Sequence, residues 1–290
     1  MAHPKPPSTE VSDEIVSFDG QGGRNPISRE QLIQSYLQAG NKAAAKIVSR
    51  IPVDSNGHLL DSAVDRLLIG VHAEMQRMHE EFHHGERVSR RLRVVLEQLD
   101  RTHWPRPWTI ADIGCGPGYV LRYLAASGNL PDDVELIGYD LNAALVGEAN
   151  RLADREGLSA RFVTGDALTA PVPATVYMST GVLHHFRNGD LQRFLQRQVD
   201  RRPAACIHWD FQPGLMRLVG GWVFHMLRMR HPLSIHDGMA SLARMHTGET
   251  LLESGSTGNY SWEIGSRNLW GLPIRRVFHL LIGLHESVVR

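Results

Sequence analysis

The strongest constraint on this sequence is an alternation, from Trp108 onward, between short apolar runs and helical segments. Such alternation is typical of βαβ units, in which helices connect parallel strands. Five runs lie at 109–113, 134–140, 160–166, 174–180 and 204–210. Two more, at 259–266 and 275–284, have no long helix between them and predict an antiparallel pair that closes the sheet. We therefore expect an α/β fold built on a mostly parallel sheet.

The first hundred residues have a different pattern. Residues 1–26 mix Pro, Ser, Gly and acidic residues without periodicity, so we expect a flexible tail. Apolar residues then recur at helical spacing and predict helices at 28–50, 61–84 and 86–100. We expect an N-terminal helical cap over 27–105, followed by a sheet-containing domain over 106–290.

Charge and cysteine content exclude several classes of protein. Lys and Arg total 31, as do Asp and Glu, so the net charge is zero and a nucleic acid is not expected as the main partner. Two cysteines, Cys115 and Cys206, cannot supply a disulfide framework.

The polar N-terminus is not expected to be a signal peptide, and no apolar stretch has the length of a membrane span. We expect a reduced, cytoplasmic protein that is not integral to the membrane; its oligomeric state stays open.

A glycine-rich loop, DIGCGPG at 112–118, lies between the first predicted strand and a helix that begins near Tyr119. Its glycines permit a tight turn and a close approach of the backbone to a nucleotide-like ligand. A dinucleotide fingerprint would need Gly or Ala at position 119, where this chain has Tyr. An NAD enzyme is therefore the weaker alternative.

With this loop the chain resembles the class I S-adenosylmethionine-dependent methyltransferases. The resemblance implies a Rossmann-like fold with a seven-stranded sheet whose last strand is antiparallel. It also implies S-adenosyl-L-methionine as cofactor, with Asp140 accepting hydrogen bonds from the ribose hydroxyls and Asp166 beside the adenine amino group. The loop after the fourth strand, STGVLHHF, is similar to the family's LHH variant. The expected cofactor-binding residues are Asp112, Gly114, Cys115, Gly116, Gly118, Asp140, Leu141, Asp166, Ala167, Ser179 and Thr180. Cys115 is expected to pack rather than to act as a nucleophile.

Methyl transfer requires alignment, exclusion of water and, for some acceptors, removal of a proton. Histidines near the carboxyl edge of the sheet suit proton transfer near neutral pH. We expect His185 and His208 as the main candidates for a catalytic base, with His184 as a third. The alternatives are that His184 only shapes its loop and that His208 is a core residue.

A long insertion at 211–252 contains five of the nine methionines and is expected to form a lid over an apolar acceptor. The same stripe could equally be plain core. Candidate substrate-binding residues are Trp209, Trp222, Met226 and His236. The fourth-strand loop lacks the Asn/Asp-Pro-Pro-aromatic signature of family members that methylate nucleobase or glutamine amino groups. A small-molecule acceptor follows, and we favour a hydroxyl of a natural-product or quinone-like compound, with N-, S- and C-methylation open.

Two other functions compete with this interpretation. His79, Glu80 and His83 match HExxH, the pattern of a zinc hydrolase, although no third ligand is identifiable and no metal is expected. The histidine-rich helix around 72–84 could instead cap the cofactor or acceptor, or be a solvated face. A non-catalytic cofactor-binding protein is the remaining alternative.

Overall fold

The computed structural model describes residues 9–19, 23–168, 173–187, 189–214, 226–255, 258–267 and 278–289. Seven strands form one sheet within these ranges. They are β1 (Trp108–Ile113), β2 (Val134–Asp140), β3 (Arg161–Thr164), β4 (Val176–Thr180), β5 (Ala205–Phe211), β6 (Tyr260–Arg267) and β7 (Phe278–His285).

The order of strands in the sheet is β3-β2-β1-β4-β5-β7-β6. The pairs among β1 to β5 are parallel, whereas β7 runs antiparallel to both of its neighbours, β5 and β6. The predicted Rossmann-like, mostly parallel seven-stranded sheet with an antiparallel last strand is therefore confirmed.

The helices flank this sheet or lie near the N-terminus. They are α1 (Val11–Glu14), α2 (Arg29–Gln38), α3 (Lys42–Val48), α4 (Asp61–Glu81), α5 (His84–Arg101), α6 (Tyr119–Ser127), α7 (Ala143–Glu156), α8 (Gly189–Val199), α9 (Pro232–Arg244), α10 (Gly248–Gly255) and α11 (Glu286–Val289). A 3₁₀ turn covers Leu183–His185.

The single helix predicted over 28–50 is wrong, because the chain forms α2 and α3 there. Gly40 adopts a φ of 72°, which ends the first helix, and the Asn41 side chain accepts a hydrogen bond from the Ala44 amide at 3.0 Å to begin the second. The helix predicted over 61–84 ends at Glu81. His83, with a φ of 50°, separates it from α5.

Apolar side chains cover both faces of the sheet. On one face Ile110 and Ile207 pack in a cluster with Val88 of α5 and Leu121 of α6. On the other face alternate strand residues pack with helices α8 and α10, including Phe194 and Leu251. Alternation along a strand thus assigns neighbouring residues of β4 and β5 to opposite faces. Both faces are covered, as expected for parallel strands.

The chain divides into two compact units, one of residues 1–75 with 213–244 and one of residues 76–212 with 245–290. This division differs from the predicted boundary at residue 105. The reason is that α5 supplies Val88, Leu92 and Leu99, all fully buried, to the core of the sheet. The lid over 211–252 stays a prediction, and residues 215–225 of it lie outside the described ranges.

Part of the predicted flexible tail is ordered. Val11 and Ile15, in and beside α1, are 0% and 2% exposed. The Glu10 carboxylate accepts hydrogen bonds from the Ser241 hydroxyl at 2.8 Å and from Arg244 at 3.2 Å, both on α9. The segment is polar in composition, but two apolar side chains and these contacts fix it within its unit.

Across the described ranges, none of the helices combines the length and the apolar character that a membrane crossing requires.

Candidate functional site

The glycine loop joins β1 to α6 in a conformation that requires glycine at two positions. Gly114 has a φ of 70° and Gly118 a φ of 75°. A Cβ atom at Gly114 would lie 2.6 Å from the Val182 side chain, and one at Gly118 would lie 2.4 Å from the Phe162 ring. The loop therefore lies against the segment that follows β4, as well as against β3.

Asp140, at the end of β2, holds the middle of this loop. One of its oxygens accepts a hydrogen bond from the Gly116 amide at 2.8 Å, and the other accepts from the Asn142 amide at 2.9 Å. The carboxylate is half-buried, and two oxygens with four acceptor positions retain capacity for further donors. Leu141, next to it, is 43% exposed. Asp140 is thus placed to hold both the loop and a ligand beside it.

Asp112 is the last residue but one of β1 and is 2% exposed. Its Oδ1 atom is buried and has no hydrogen-bond partner. Burial, with a smaller contribution from the charge of Asp140, raises the pKa of Asp112 to about 8. A buried carboxyl group with an unsatisfied oxygen suits a cationic or hydrogen-bond-donating ligand.

The thiol of Cys115 behaves as a packing group. Burial, followed by the charges of Asp140 and Asp112, raises the pKa of Cys115 well above its usual value. Because the thiolate is the nucleophilic form, this cysteine is unreactive near neutral pH. The geometry supports the expected packing role, and Cys206 is fully buried in β5.

Asp166 follows β3 and forms a turn by accepting a hydrogen bond from the Leu168 amide at 2.8 Å. Its neighbour Gly165 donates its amide hydrogen to the carbonyl oxygen of Asp140 at 2.9 Å. Ala167 and Leu168 pack at the margin of the adjacent apolar cluster. The ends of β1, β2 and β3 are therefore linked, and most of the predicted cofactor-binding residues are brought together.

Ser179 and His208 lie elsewhere. Both are 0% exposed, and the Ser179 hydroxyl shares a 2.8 Å hydrogen bond with Nδ1 of His208 between β4 and β5. Burial lowers the pKa of His208 to about 3, against an opposing effect of Asp210. The prediction of His208 as a base is therefore wrong: the imidazole is inaccessible to an acceptor and does not take up a proton near neutral pH. The alternative that it is a core residue fits this geometry.

Thr180, the last residue of β4, faces the opposite side of the sheet and meets α5. Its hydroxyl shares a 3.3 Å hydrogen bond with Nε2 of His84. The His84 ring lies edge-on to Trp209, with centroids 6.3 Å apart, and 5.1 Å from the ring of His79. His79 in turn lies 5.9 Å from the ring of Tyr119, the first residue of α6. We call the rings of His79, His84, Tyr119 and Trp209, together with the Thr180 hydroxyl that bonds to His84, the aromatic cluster.

His84 is electrically neutral in this cluster. Burial, with smaller contributions from His79 and Arg87, lowers the pKa of His84 well below its usual value. The sequence indicates this region through its histidine-rich stretch, but periodicity does not reveal which of those histidines turns toward the sheet. The αL conformation of His83 decides this by redirecting the chain at the start of α5.

His184 and Asp210 form a buried pair at the carboxyl edge of the sheet. Nδ1 of His184 lies 3.0 Å from Oδ2 of Asp210, which also accepts a hydrogen bond from the His184 amide at 2.9 Å. Burial raises the pKa of Asp210, but the contacts with His184 and with the Phe211 amide outweigh burial and lower it. Asp210 is therefore ionised, and Nδ1 of His184 carries the hydrogen that it donates. His185 is exposed and its ring lies 4.4 Å from that of His184.

His246 fixes the 3₁₀ turn that contains this pair. Its Nε2 atom donates to the carbonyl oxygens of Leu183 at 3.1 Å and Phe186 at 3.0 Å. Burial lowers the pKa of His246, which favours the neutral ring. No sequence pattern singles out this histidine, because it lies about sixty residues from the turn that it holds.

The predicted substrate-binding residues do not share one environment. His236 is 8% exposed and uses both ring nitrogens: Nδ1 lies 2.7 Å from Oδ1 of Asp237, and Nε2 lies 3.0 Å from the Asn41 amide nitrogen. Its predicted role in substrate binding is therefore corrected to a structural one. Trp209 is 6% exposed in β5, Met226 is 51% exposed, and Trp222 lies outside the described residues.

The HExxH pattern does not form a metal site in the part of the chain that the structure describes. Helix α4 ends at Glu81, before His83, so His79 and His83 do not lie one helical turn apart on a common face. His79 instead contacts His84 and Tyr119. The zinc-hydrolase alternative loses its structural basis.

Comparison with known proteins adds a family for the central part of the chain. A family model described as a methyltransferase domain matches residues 110–200. A sequence comparison with curated proteins gives no match. Among solved structures, the plantazolicin methyltransferase BpumL in complex with SAH is similar, with 14% identity, a TM-score of 0.49, and coverage of 89% of this chain and 95% of that chain.

Two further structures are similar at comparable levels. The magnesium protoporphyrin IX methyltransferase ChlM from Synechocystis PCC 6803 with bound SAH has 16% identity, a TM-score of 0.45, and coverage of 88% of this chain and 99% of that chain. A TehB-like SAM-dependent methyltransferase from Corynebacterium glutamicum has 17% identity, a TM-score of 0.42, and coverage of 70% and 98%. The family model, rather than these distant likenesses, identifies the domain.

Proposed function

We propose that this chain, which carries a class I S-adenosylmethionine-dependent methyltransferase domain, methylates a hydroxyl group of a small natural-product or quinone-like acceptor. The enzyme class and the cofactor, predicted from the glycine loop, are confirmed by the family model over residues 110–200. The acceptor and the atom that receives the methyl group belong to the proposal.

The residues around the glycine loop fit the cofactor. S-adenosylmethionine, when bound, supplies a sulfonium-activated methyl group together with an ammonium group, a ribose and an adenine. Asp140, already held by the Gly116 amide, retains acceptor capacity for ribose hydroxyls. The unpartnered Oδ1 of Asp112 fits a donor or a positive charge, and Asp166 is assigned to the adenine amino group. Asp140→Ala should weaken cofactor binding.

The His184–Asp210 pair is the observation that carries the choice of a hydroxyl acceptor. Asp210 fixes the imidazole through Nδ1, and we assign Nε2 as the nitrogen that takes a proton. In this proposal His184 would take the proton of the acceptor hydroxyl at Nε2, and the Asp210 carboxylate would stabilise the imidazolium that forms. The bound cofactor would supply the methyl group to the acceptor oxygen, with its carbon–sulfur bond breaking and the thioether S-adenosylhomocysteine leaving. His185, exposed and with its ring 4.4 Å from that of His184, provides a route for that proton to solvent.

The position of the pair supports its assignment to the reaction. The side chain of Val182, one residue before the 3₁₀ turn, lies directly against Gly114 of the cofactor loop. The turn that carries His184 and the loop are therefore neighbours at the carboxyl edge of the sheet, where ligands bind in open α/β folds.

The aromatic cluster is assigned to the acceptor side of the site. His84 is neutral and buried, and Trp209 and Tyr119 offer apolar ring surface near the ends of β5 and β1. Such rings suit an apolar or aromatic acceptor. Met226 and Trp222, from the insertion, remain predicted contacts with that acceptor.

Mass spectrometry with deuteromethyl cofactor and a panel of phenols, quinols, amines, thiols and activated carbon acids tests this proposal. We expect a gain of one labelled methyl on an oxygen acceptor, located by fragmentation, and loss of this product in a His184→Gln variant. Transfer to nitrogen, sulfur or carbon that survives His184→Gln would refute the hydroxyl acceptor while leaving the methyltransferase class intact.

A further inference from the structure

Arg122, on α6, is a buried cation in contact with the cofactor loop. Its side chain is 7% exposed, and its Nε atom donates a hydrogen bond to the carbonyl oxygen of Pro117 at 3.3 Å. Nη1 donates to both carboxylate oxygens of Glu156, on α7, at 2.5 and 2.7 Å. Nη2 donates to the side-chain carbonyl of Gln76, on α4, at 2.8 Å. One guanidinium thus joins the loop to two separate helices.

Stability alone does not explain a cation at this position. A positive charge near the N-terminus of a helix is unfavourable, because the helix dipole places positive charge there as well. A buried ion pair contributes little net stability, since desolvation offsets the attraction between its charges. A planar guanidinium nevertheless fixes several partners in a defined geometry. The contacts of Arg122 therefore favour a positional role.

The loop is held from two directions. Asp140 accepts the Gly116 amide hydrogen, and Arg122 donates to the carbonyl of the next residue, Pro117. Between them these contacts orient the peptide group that precedes Gly116 and the peptide group that follows Pro117. Gly118 adds a third restraint within the loop by donating its amide hydrogen to the carbonyl oxygen of Cys115 at 3.0 Å.

We propose that Arg122 is a positioning residue for cofactor binding, which acts by fixing the Pro117 carbonyl between Glu156 and Gln76 so that the glycine loop is preformed. This inference rests on the assignment of the loop as the cofactor site. Without the guanidinium, the loop retains Asp140 but gains conformational freedom, and the cofactor must order it on binding. The loss should therefore appear in cofactor affinity.

The test compares two double variants that each remove one Arg–Glu pair from this part of the molecule. Arg122→Met with Glu156→Met replaces the buried pair by apolar side chains and avoids an unpaired charge. Glu148→Met with Arg151→Met is the control, because that pair lies wholly on α7 and is joined by bonds of 2.7 Å, and none of its hydrogen bonds reaches the loop. Calorimetric titration with S-adenosylhomocysteine and thermal unfolding are measured on the wild type and both variants.

We expect the Arg122/Glu156 variant to bind about tenfold more weakly, because the cofactor must then order the loop on binding, while its Tm stays close to that of the wild type. The control should bind as the wild type does. Glu156→Gln, whose side chain is 33% exposed and tolerates the change, provides a milder second variant with a smaller loss of affinity. Addition of a saturating cofactor concentration should restore turnover of the Arg122/Glu156 variant, so that KM rises and kcat is retained.

The outcomes distinguish failure of the positioning role of Arg122 from failure of the cofactor-site assignment. Unchanged affinity in the Arg122/Glu156 variant and in Glu156→Gln would overturn the positioning role, as would a loss of Tm with unchanged affinity per folded molecule. An equal loss of affinity in the control would overturn it as well. Failure of the wild type to bind S-adenosylhomocysteine would refute the cofactor-site assignment itself.

Discussion

Within the part of the chain that the structure describes, two buried histidine–aspartate pairs occur, one in each compact unit, and their surroundings differ. His184 and Asp210 lie 3.0 Å apart with side chains 6% and 4% exposed. His236 and Asp237 lie 2.7 Å apart with side chains 6% and 8% exposed. Residue type, burial and distance are therefore similar. The pairs differ in the other groups with which their side chains form hydrogen bonds.

We call residues 1–75 with 213–244 the helical unit, and residues 76–212 with 245–290 the sheet unit. In the helical unit the His236–Asp237 pair stabilises the fold. Both oxygens of Asp237 accept backbone amides at the start of α1, from Val11 at 2.8 Å and Ser12 at 2.9 Å. His236 extends the network to the Asn41 amide group, which also begins α3. In the sheet unit Asp210 instead accepts amides of the strand and turn that carry the pair itself. The comparison indicates that partners beyond the pair, and not the pair, distinguish the histidine proposed for catalysis from the structural one.

The largest expected effect lies in the sheet unit. His184→Gln should lower kcat by about 10²- to 10⁴-fold, the range typical of a lost general base, with cofactor affinity retained. Asp210→Asn should lower kcat as well, because the amide no longer stabilises the imidazolium. Steady-state kinetics with the identified acceptor measures both changes. A His184→Gln enzyme with the kcat of the wild type would remove the catalytic assignment and so erase the difference between the two pairs.

The corresponding change in the helical unit should affect stability instead. Asp237→Ala leaves the amides of Val11 and Ser12 and the His236 ring without their acceptor, so the free energy of unfolding should fall by about 1–3 kcal/mol. Urea denaturation measures this change, and kcat should stay near the wild-type value under conditions where the variant is folded. A raised KM for the acceptor with unchanged stability would instead support the pocket role that the sequence predicts for this region.

The sequence predicts the fold well where local signals agree. Apolar runs of strand length, glycines in the loop and acids at strand ends all indicate the same parallel sheet, and Asp112, Gly116 and Asp140 are brought together as that pattern requires. Each of these signals depends on residues close in sequence or on the fixed geometry of a βαβ unit.

The histidines show where such prediction ends. His208 and His184 both lie near a strand end in the sequence, but His208 lies within β5, fully buried and bonded to Ser179, whereas His184 lies in the turn after β4. His246 and Arg122 have no motif, because their roles come from contacts with distant carbonyl groups. Tertiary contacts decide these roles, so periodicity and composition carry no information about them.

A pH titration of stability sharpens the distinction between core and catalytic histidines. The pKa of His208 is about 3 in the folded protein and near 6.5 when unfolded, so the unfolded state binds more protons between these values. Stability is therefore fully present above about pH 6.5 and falls as the pH is lowered toward 3. His208→Gln should reduce this fall between pH 7 and 5 by about 1–2 kcal/mol, at roughly 1.4 kcal/mol for each pH unit of differential protonation.

Chemical denaturation at several pH values measures this difference. The slope should be reduced rather than abolished, because His84 and His246 also have lowered pKa values and act in the same direction. Parallel curves for His208→Gln and the wild type would show that His208 takes up a proton in the folded state and is not a neutral core residue.

The smallest expected effect concerns Asp112, whose unsatisfied oxygen contrasts with the fully bonded Asp237. With a pKa of about 8, raised by burial, this carboxyl group is mostly protonated at pH 7. A cationic cofactor favours the carboxylate, so binding should release up to about one proton. The enthalpy of binding measured by calorimetry at pH 7 should then vary with the ionisation enthalpy of the buffer, and this variation should disappear in Asp112→Asn. An enthalpy independent of buffer in the wild type would place Asp112, like Asp237, among the acids that serve the fold alone.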